Sequence, residues 1–316
     1  MKYCLLITLG LFLICGTLLP AAEISFDTRN PGTITVCVGD QPVANYVYAN
    51  GRINRPYIWD VRTTDGIQVS RDYPPVEGED RTDHPLIHPG IWMSFKEIGG
   101  LNFWRGENHC FTTLIAKPNV VDGVGSFTVE NLYCEGNNKA KARVRETCRL
   151  RFLVVEGGWL LIWESAFQGL VDDAVFGDQE EMGLGIRVAT EISGVKGGRI
   201  LNSNGRRTEK EAWGKTADWC DYSGKMDGRW VGMAILTGND NFRKSWFHAR
   251  DYGLLLANPF GRQAFHAGPR SEVEIPRNTP LRLIFGVYIH SAENEHDTDV
   301  AALYRKFSRL ARHESR

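Results

Sequence analysis

Two histidines stand four residues apart in Asp83-His84-Pro85-Leu86-Ile87-His88-Pro89-Gly90-Ile91-Trp92, with a carboxylate directly before the first. Imidazole is the side chain whose charge changes nearest neutral pH, so such a pair suits proton transfer or metal ligation. Pro85 and Pro89 fix φ and remove backbone donors, which makes the stretch a stiff, non-helical rim in front of an apolar strand. The plainer alternative is that one or both rings only hydrogen-bond the loop to itself. The stretch runs on to Asn102-Phe103-Trp104-Arg105, adding an indole and a guanidinium.

Three further runs gather reactive side chains. Phe176-Gly177-Asp178-Gln179-Glu180-Glu181-Met182-Gly183-Leu184-Gly185-Ile186-Arg187 pairs two carboxylates with a downstream cation. Neighbours on a strand face opposite ways, so only one of Glu180 and Glu181 readily faces a given pocket. The glycines between them allow a ligand to approach closely, although paired acids in a turn are more often just solvated. Trp213 and Trp219, the latter followed by Asp221, suit sugar rings, whose C–H faces stack on aromatics while their hydroxyls bond acids and amides. Both indoles are equally suited to the core. In extended backbone Trp246, His248 and Arg250 share one face and make a wall for a polar or anionic ligand, with Asp251 and Asn258 close behind. A structural Arg250–Asp251 ion pair is the alternative there.

The elements that must hold these residues read as strands. β-Branched and aromatic residues dominate 33–38, 43–48, 127–133, 142–155, 159–167, 185–192, 230–236, 252–257, 273–275 and 281–290, with turn residues between them. Glu156-Gly157-Gly158 is a hairpin turn between two of the runs. A helical period appears only near the end. There Val300, Leu303, Tyr304, Phe307 and Leu310 fall on one face of 297–312, with Asp297 or Thr298 as the expected cap. The pattern predicts one all-β domain, a large antiparallel sandwich closed by a C-terminal helix, over residues 23–316.

The first 22 residues read as a secretory signal peptide: a charged start, an apolar run from Leu5 to Leu19, then Pro20-Ala21-Ala22. The expected location is therefore periplasmic or secreted. Ile14 before Cys15 is a poor match to a lipoprotein signal, and no second apolar run is long enough to span a membrane. A formal net charge of −1 and the lack of a Lys/Arg block give no general pull toward nucleic acid. Cys37, Cys110, Cys134, Cys148 and Cys220 follow the leader with no CxxC spacing, which leaves room for a disulfide or two but no cysteine metal framework.

The blocks Asp83 to Trp92 with Asn102 to Arg105, Gly177 to Gly185, and Trp246 to Gly253 with Ala257 to Gly261 together resemble, in the same order, a family of exported bacterial domains labelled "methane oxygenase PmoA". The resemblance covers most of the chain after its leader. Many relatives carry adjacent histidines and an arginine where this chain has Leu86-Ile87-His88-Pro89, so the division of labour between the histidines stays open. The membrane subunit that shares the label is a multi-span helical protein, unlike this chain. What the resemblance implies is a β-supersandwich of the galactose-mutarotase-like kind, with a ligand groove on one concave sheet. Relatives lie beside sugar-oxidising and sugar-degrading proteins, which implies a carbohydrate ligand.

The expected function is thus a carbohydrate-active enzyme, lyase or hydrolase, that cleaves a glycosidic bond, with no cofactor required by the sequence. His84, His88 or His248 would be acid or base, Glu180 or Glu181 the carboxylate partner, and Arg250 or Arg187 the stabiliser of negative charge. Asp83, Trp104, Arg105, Trp213, Trp219, Asp221, Trp246, Asp251 and Asn258 would contact substrate. The alternatives are a sugar mutarotase or epimerase, a non-catalytic sugar-binding domain, and a copper or zinc site on His84, His88 and His248. Oligomeric state is not readable from the chain.

Overall fold

The computed structural model describes residues 23–49 and 51–312. The expected signal peptide lies outside the described residues. The first half of the chain contributes β1 (Ile24–Asp27), β2 (Thr33–Val38), β3 (Gln41–Val47), β4 (Tyr57–Trp59), β5 (Ile91–Phe95), β6 (His109–Val121), β7 (Val124–Cys134), β8 (Ala142–Val155) and β9 (Gly158–Gly169). The second half adds β10 (Val175–Phe176), β11 (Met182–Arg187), β12 (Arg199–Asn202), β13 (Trp219–Met226), β14 (Arg229–Thr237), β15 (Trp246–Arg250), β16 (Leu254–Asn258), β17 (Val273–Glu274) and β18 (Leu281–Ala292). Two α-helices, α1 (Glu209–Ala212) and α2 (Val300–Leu310), complete the described elements together with short 3₁₀ turns.

Two eight-stranded antiparallel sheets make the sandwich. The first has the order β1-β2-β3-β4-β5-β11-β16-β15, the second β12-β13-β14-β18-β9-β8-β7-β6, and β10 pairs with β17 in a small third sheet. The alternation along β2, with Ile34, Val36 and Val38 buried, shows how the inner faces meet. Side chains such as Phe95, Leu184, Phe127, Trp163 and Val287 form one continuous core between them. A second apolar layer lies outside the second sheet, where Val300, Leu303 and Phe307 of α2 cover Leu160, Ile162 and Leu236. Gly286 permits this, because a Cβ there would meet the Phe307 ring at 3.0 Å. No helix among the described residues is long and apolar enough to cross a membrane.

The expected helix is shorter than its sequence period. Asp299, not Asp297 or Thr298, caps α2, accepting from the Ala302 amide at 2.8 Å, while Asp297 closes a separate turn with Asn294. The run expected at 185–192 splits, because β11 ends at Arg187 and Thr190–Ile192 is a 3₁₀ turn. The five described cysteines are all free thiols.

The outer face of the first sheet positions the candidate site. Antiparallel register places Trp92, Gly185, Leu256 and His248 in one row, and Arg187, Leu254 and Arg250 in the next. Gly185 leaves the space that the Trp92 indole fills, since a Cβ would come within 2.8 Å of the ring, and Trp92 is fully buried. Gly185→Ala is therefore expected to destabilise the fold by about 1–3 kcal/mol, the usual range for overpacking. Denaturant midpoints check this, and an unchanged midpoint would mean that the indole can move.

Candidate functional site

The loop between β4 and β5 folds over this face and carries Asp83 and His84. Arg187 holds the Asp83 carboxylate with two bonds, Nη2 to Oδ1 at 2.6 Å and Nη1 to Oδ2 at 3.0 Å. Nδ1 of His84 donates to Asp83 Oδ2 at 2.9 Å. A carboxylate can only accept, so this bond fixes the tautomer and leaves Nε2 of His84 as the proton acceptor. Burial alone would raise the Asp83 pKa, but the hydrogen bonds from Arg187 and His84 hold it at about 2. Asp83 is thus a fixed anion that orients the imidazole. His84 has φ +50°, in a region that non-glycine residues seldom occupy, and its side chain stays about one-third exposed.

Beneath it lies a stack. The His84 ring lies 4.7 Å from that of His88, which lies 5.2 Å from the parallel Trp92 ring and meets Trp104 edge-on at 5.8 Å. Tyr252, in the turn between β15 and β16, packs over the Arg187 guanidinium at 4.5 Å and faces His84 at 6.3 Å. Arg71, fully buried, ties the loop down by donating to the carbonyls of Arg81, Asp83 and His88.

Tyr252 is also the near wall of a groove of about 400 Å³ whose other walls include Lys96, Gln179, Glu180, Glu181, His248 and Arg250. Its charges are arranged in pairs. Glu181 lies between Arg105 at 3.1 Å and Lys96 at 3.3 Å, and Glu180 meets Arg250 at 3.1 Å. His248 Nε2 is 3.6 Å from Glu180, too far for a hydrogen bond, and neither ring nitrogen has a partner. Burial and then the Arg250 charge push the His248 pKa down to about 3.

The two buried imidazoles of this face, His88 and His248, are held neutral, His88 by burial and the nearby Arg187 charge. The unfolded chain takes up these protons near the ordinary histidine pKa of about 6.5, whereas the folded chain does so only well below it. Stability is therefore fully kept above that value and drains as pH falls below it, at about 1.4 kcal/mol per pH unit for each ring. His248→Gln is expected to remove about half of this slope between about pH 6 and 4.5. Denaturant midpoints read it, and an unchanged slope would mean that the folded ring carries its proton.

Several expected ligand residues hold the protein together instead. His88 is buried between His84 and Trp92, so it packs and does not reach the groove. Trp104 is fully buried against Trp92, with Arg55 over its ring. Trp219 and Asp221 are on the second sheet: Trp219 packs in the layer under α2, and Asp221 is buried against His290 at 2.8 Å and Ser223 at 2.6 Å. Asn258 braces the acidic turn through the carbonyls of Gln179 and Glu180, and Trp246 is buried at the edge near Phe265. Trp213 stays partly exposed beside Arg250, in a hollow it shares with Asp251. The Arg250–Asp251 pair is not formed, since Arg250 turns to Glu180.

Asp83, His84 and His88 offer ligand atoms within 4.8 Å of one another, and His248 is not in that group. The charges oppose a dication. Arg187 fills both oxygens of Asp83, Arg71 stands 3.6 Å from Oδ1, and His88 Nδ1 faces Arg187 at 3.5 Å. A metal would have to displace a buried guanidinium.

Tyr252, Lys96, Gln179 and Arg71 belong to the site without having been expected as ligand residues. Tyr252 was expected to open the strand at 252–257, but it lies in the turn before β16 (Leu254–Asn258).

A family model described as "Family of unknown function (DUF6807)" matches residues 33–305. The chain belongs to this family. Its description names neither an activity nor a methane oxygenase, and none of the curated proteins matches the chain. Among solved structures, a galactose mutarotase-like protein from Clostridium acetobutylicum is similar at 8% identity, over 86% of this chain and 99% of that one, with a TM-score of 0.39. One from Lactobacillus casei is 10% identical over 84% and 100%, with a TM-score of 0.36. A galactose mutarotase related enzyme from Lactobacillus acidophilus is 9% identical over 86% and 99%, with a TM-score of 0.31.

Proposed function

We propose that the protein is a carbohydrate-active enzyme that cleaves a glycosidic bond, with Nε2 of His84 as the proton acceptor. The observation that carries this reading is the Asp83–His84 pair: a clamped carboxylate fixes the tautomer of a one-third-exposed imidazole whose ring lies 6.3 Å from that of Tyr252, a wall of the polar groove. Such an arrangement is what general-base catalysis near neutral pH requires. In an elimination, His84 takes a C–H proton, the C–O bond to the leaving sugar breaks, and that oxygen gains a proton from Tyr252 or from water. In a hydrolysis, His84 takes the proton of the attacking water instead. In either case Arg250 and Lys96 lie along the groove where negative charge can be stabilised.

The lining favours a hydroxyl-rich ligand. Two carboxylates, an amide, an ammonium, a guanidinium and a phenol line the groove, giving both acceptors and donors to sugar hydroxyls, and Trp213 adds a partly exposed aromatic face beside Arg250. A panel of oligosaccharides titrated calorimetrically against the protein and its Glu180→Gln and Trp213→Ala variants tests the ligand class. At least one sugar is expected to bind about tenfold more weakly to each variant, as for a lost charged hydrogen bond or stacking contact. Equal binding by all three proteins would remove the groove from the account, and no binding at all would remove the sugar.

A further inference from the structure

A second cavity, of about 470 Å³, opens on the outer face of the second sheet beside the last turn of α2. Its cations come from three elements. Arg149 and Arg151 are two apart on β8 and share its outer face; Arg282 on β18 lies across β9, aligned through Ala166 with Thr147. Arg309 and Arg312 complete the rim from the end of α2. Glu164 is the one carboxylate among the described residues of the lining, and Arg151 already holds it at 2.8 Å while also donating to the Leu310 carbonyl at 2.9 Å.

The other four arginines are exposed, and no described residue pairs with any of them through an ion pair, hydrogen bond or ring contact. Other outward arginines of β8 are neutralised, Arg143 by Asp173 and Arg145 by Glu130. Among the described residues, five guanidiniums thus face one carboxylate and the C-terminal end of a helix, whose dipole supplies about half a negative charge. The local excess is roughly three to four positive charges, in a chain whose formal net charge is −1. Composition does not explain such a concentration. A single inorganic oxyanion would fill only a small part of the space, so the anionic groups belong on a larger body. Ala166, Ile284 and Leu310 provide an apolar floor among the guanidiniums, on which the C–H face of such a body can lie.

We propose that this cavity binds a polyanionic oligosaccharide, with sulfate esters or uronate carboxylates paired to Arg149, Arg282, Arg309 and Arg312. The planar fork of a guanidinium matches either anion with two parallel bonds. The preference for anions rests on the cavity alone; a sugar as the body rests on the carbohydrate reading of the groove. The site is an anchor on the side of the sandwich opposite His84.

Calorimetry with four probes of similar length tests this: a sulfated oligosaccharide, an unsulfated uronate oligosaccharide, a neutral oligosaccharide and duplex DNA. The proteins are wild type, Arg149→Gln/Arg282→Gln, and His84→Asn. Because both arginines are exposed and unpaired, the double variant should keep the wild-type unfolding midpoint, which is measured alongside. One or both anionic sugars are expected to bind wild type and His84→Asn alike, and to lose about tenfold or more with the double variant and with added salt. Whichever anionic sugar binds identifies the anion. Unchanged affinity in the double variant, or no binding of either anionic sugar, would overturn the proposal. DNA binding tighter than both sugars would replace the sugar by a nucleic acid. Loss of binding in His84→Asn would place the anionic sugar in the groove instead. Failure of groove-dependent sugar binding would leave a positive result here intact, so the two readings fail separately.

Discussion

His84→Asn is expected to lower turnover of the carbohydrate substrate by about 10²–10⁴-fold with the fold intact, the usual contribution of a positioned general base. Asparagine is the informative replacement. His84 adopts φ +50°, which asparagine tolerates and alanine does so only with about 1 kcal/mol of strain. The side chain is partly exposed and its one hydrogen bond is to Asp83, so little packing is lost. A variant at full rate would show that the Asp83–His84 pair is only a loop clasp.

Asp83→Ala is expected to cost about 3–5 kcal/mol of stability, the usual penalty for leaving a buried charge unpaired. Arg187 is fully buried and spends two hydrogen bonds on this carboxylate, and the buried Arg71 lies 3.6 Å away. Burial and then the Arg187 charge already push the Arg71 pKa down to about 10, so the pocket has no spare negative charge. Asp83→Asn should cost less, because the amide oxygen still accepts from Arg187. The pH dependence has a definite sign. The folded Asp83 pKa, about 2, is below its unfolded value, so its contribution is complete above about pH 4 and is lost as pH falls toward 2. Denaturant unfolding at neutral and acid pH reads both effects. A neutral-pH loss under about 1 kcal/mol would mean that solvent reaches Arg187 and the pair is a surface one.

Much of this was legible because the signals were local. The period of two along 142–155 marked β8, and the shared face of Trp246, His248 and Arg250 follows from one strand's geometry. The prolines around His84 and His88 marked a non-helical loop before β5, and no helix or strand lies between β4 and β5. What was not legible depends on contacts distant in sequence. Whether His84 or His88 is the exposed ring depends on Trp92 and Trp104 covering one of them. The neighbours of Trp219 and Asp221 could not show that β13 belongs to the other sheet, where His290, 69 residues later, holds Asp221. Asp178 looked like part of an acidic run, yet its carboxylate accepts the backbone amides of Gln263, Ala264 and Ser271 and pins the loop beside the groove. The arginines of β8 alternate plainly in the sequence, but only the fold brings Arg282 and Arg309 to meet them.

The central claim is that His84 drives cleavage of a glycosidic bond, and a mass-spectrometric product screen tests it most directly. Wild type and His84→Asn would each be incubated with neutral oligosaccharides, uronides and oxidised (keto) glycosides. The account predicts shortened sugars from wild type and almost none from the variant, carrying an added water if the reaction is hydrolysis and a new double bond without water if it is elimination. No cleavage of any sugar by wild type, or equal cleavage by both proteins, would contradict it.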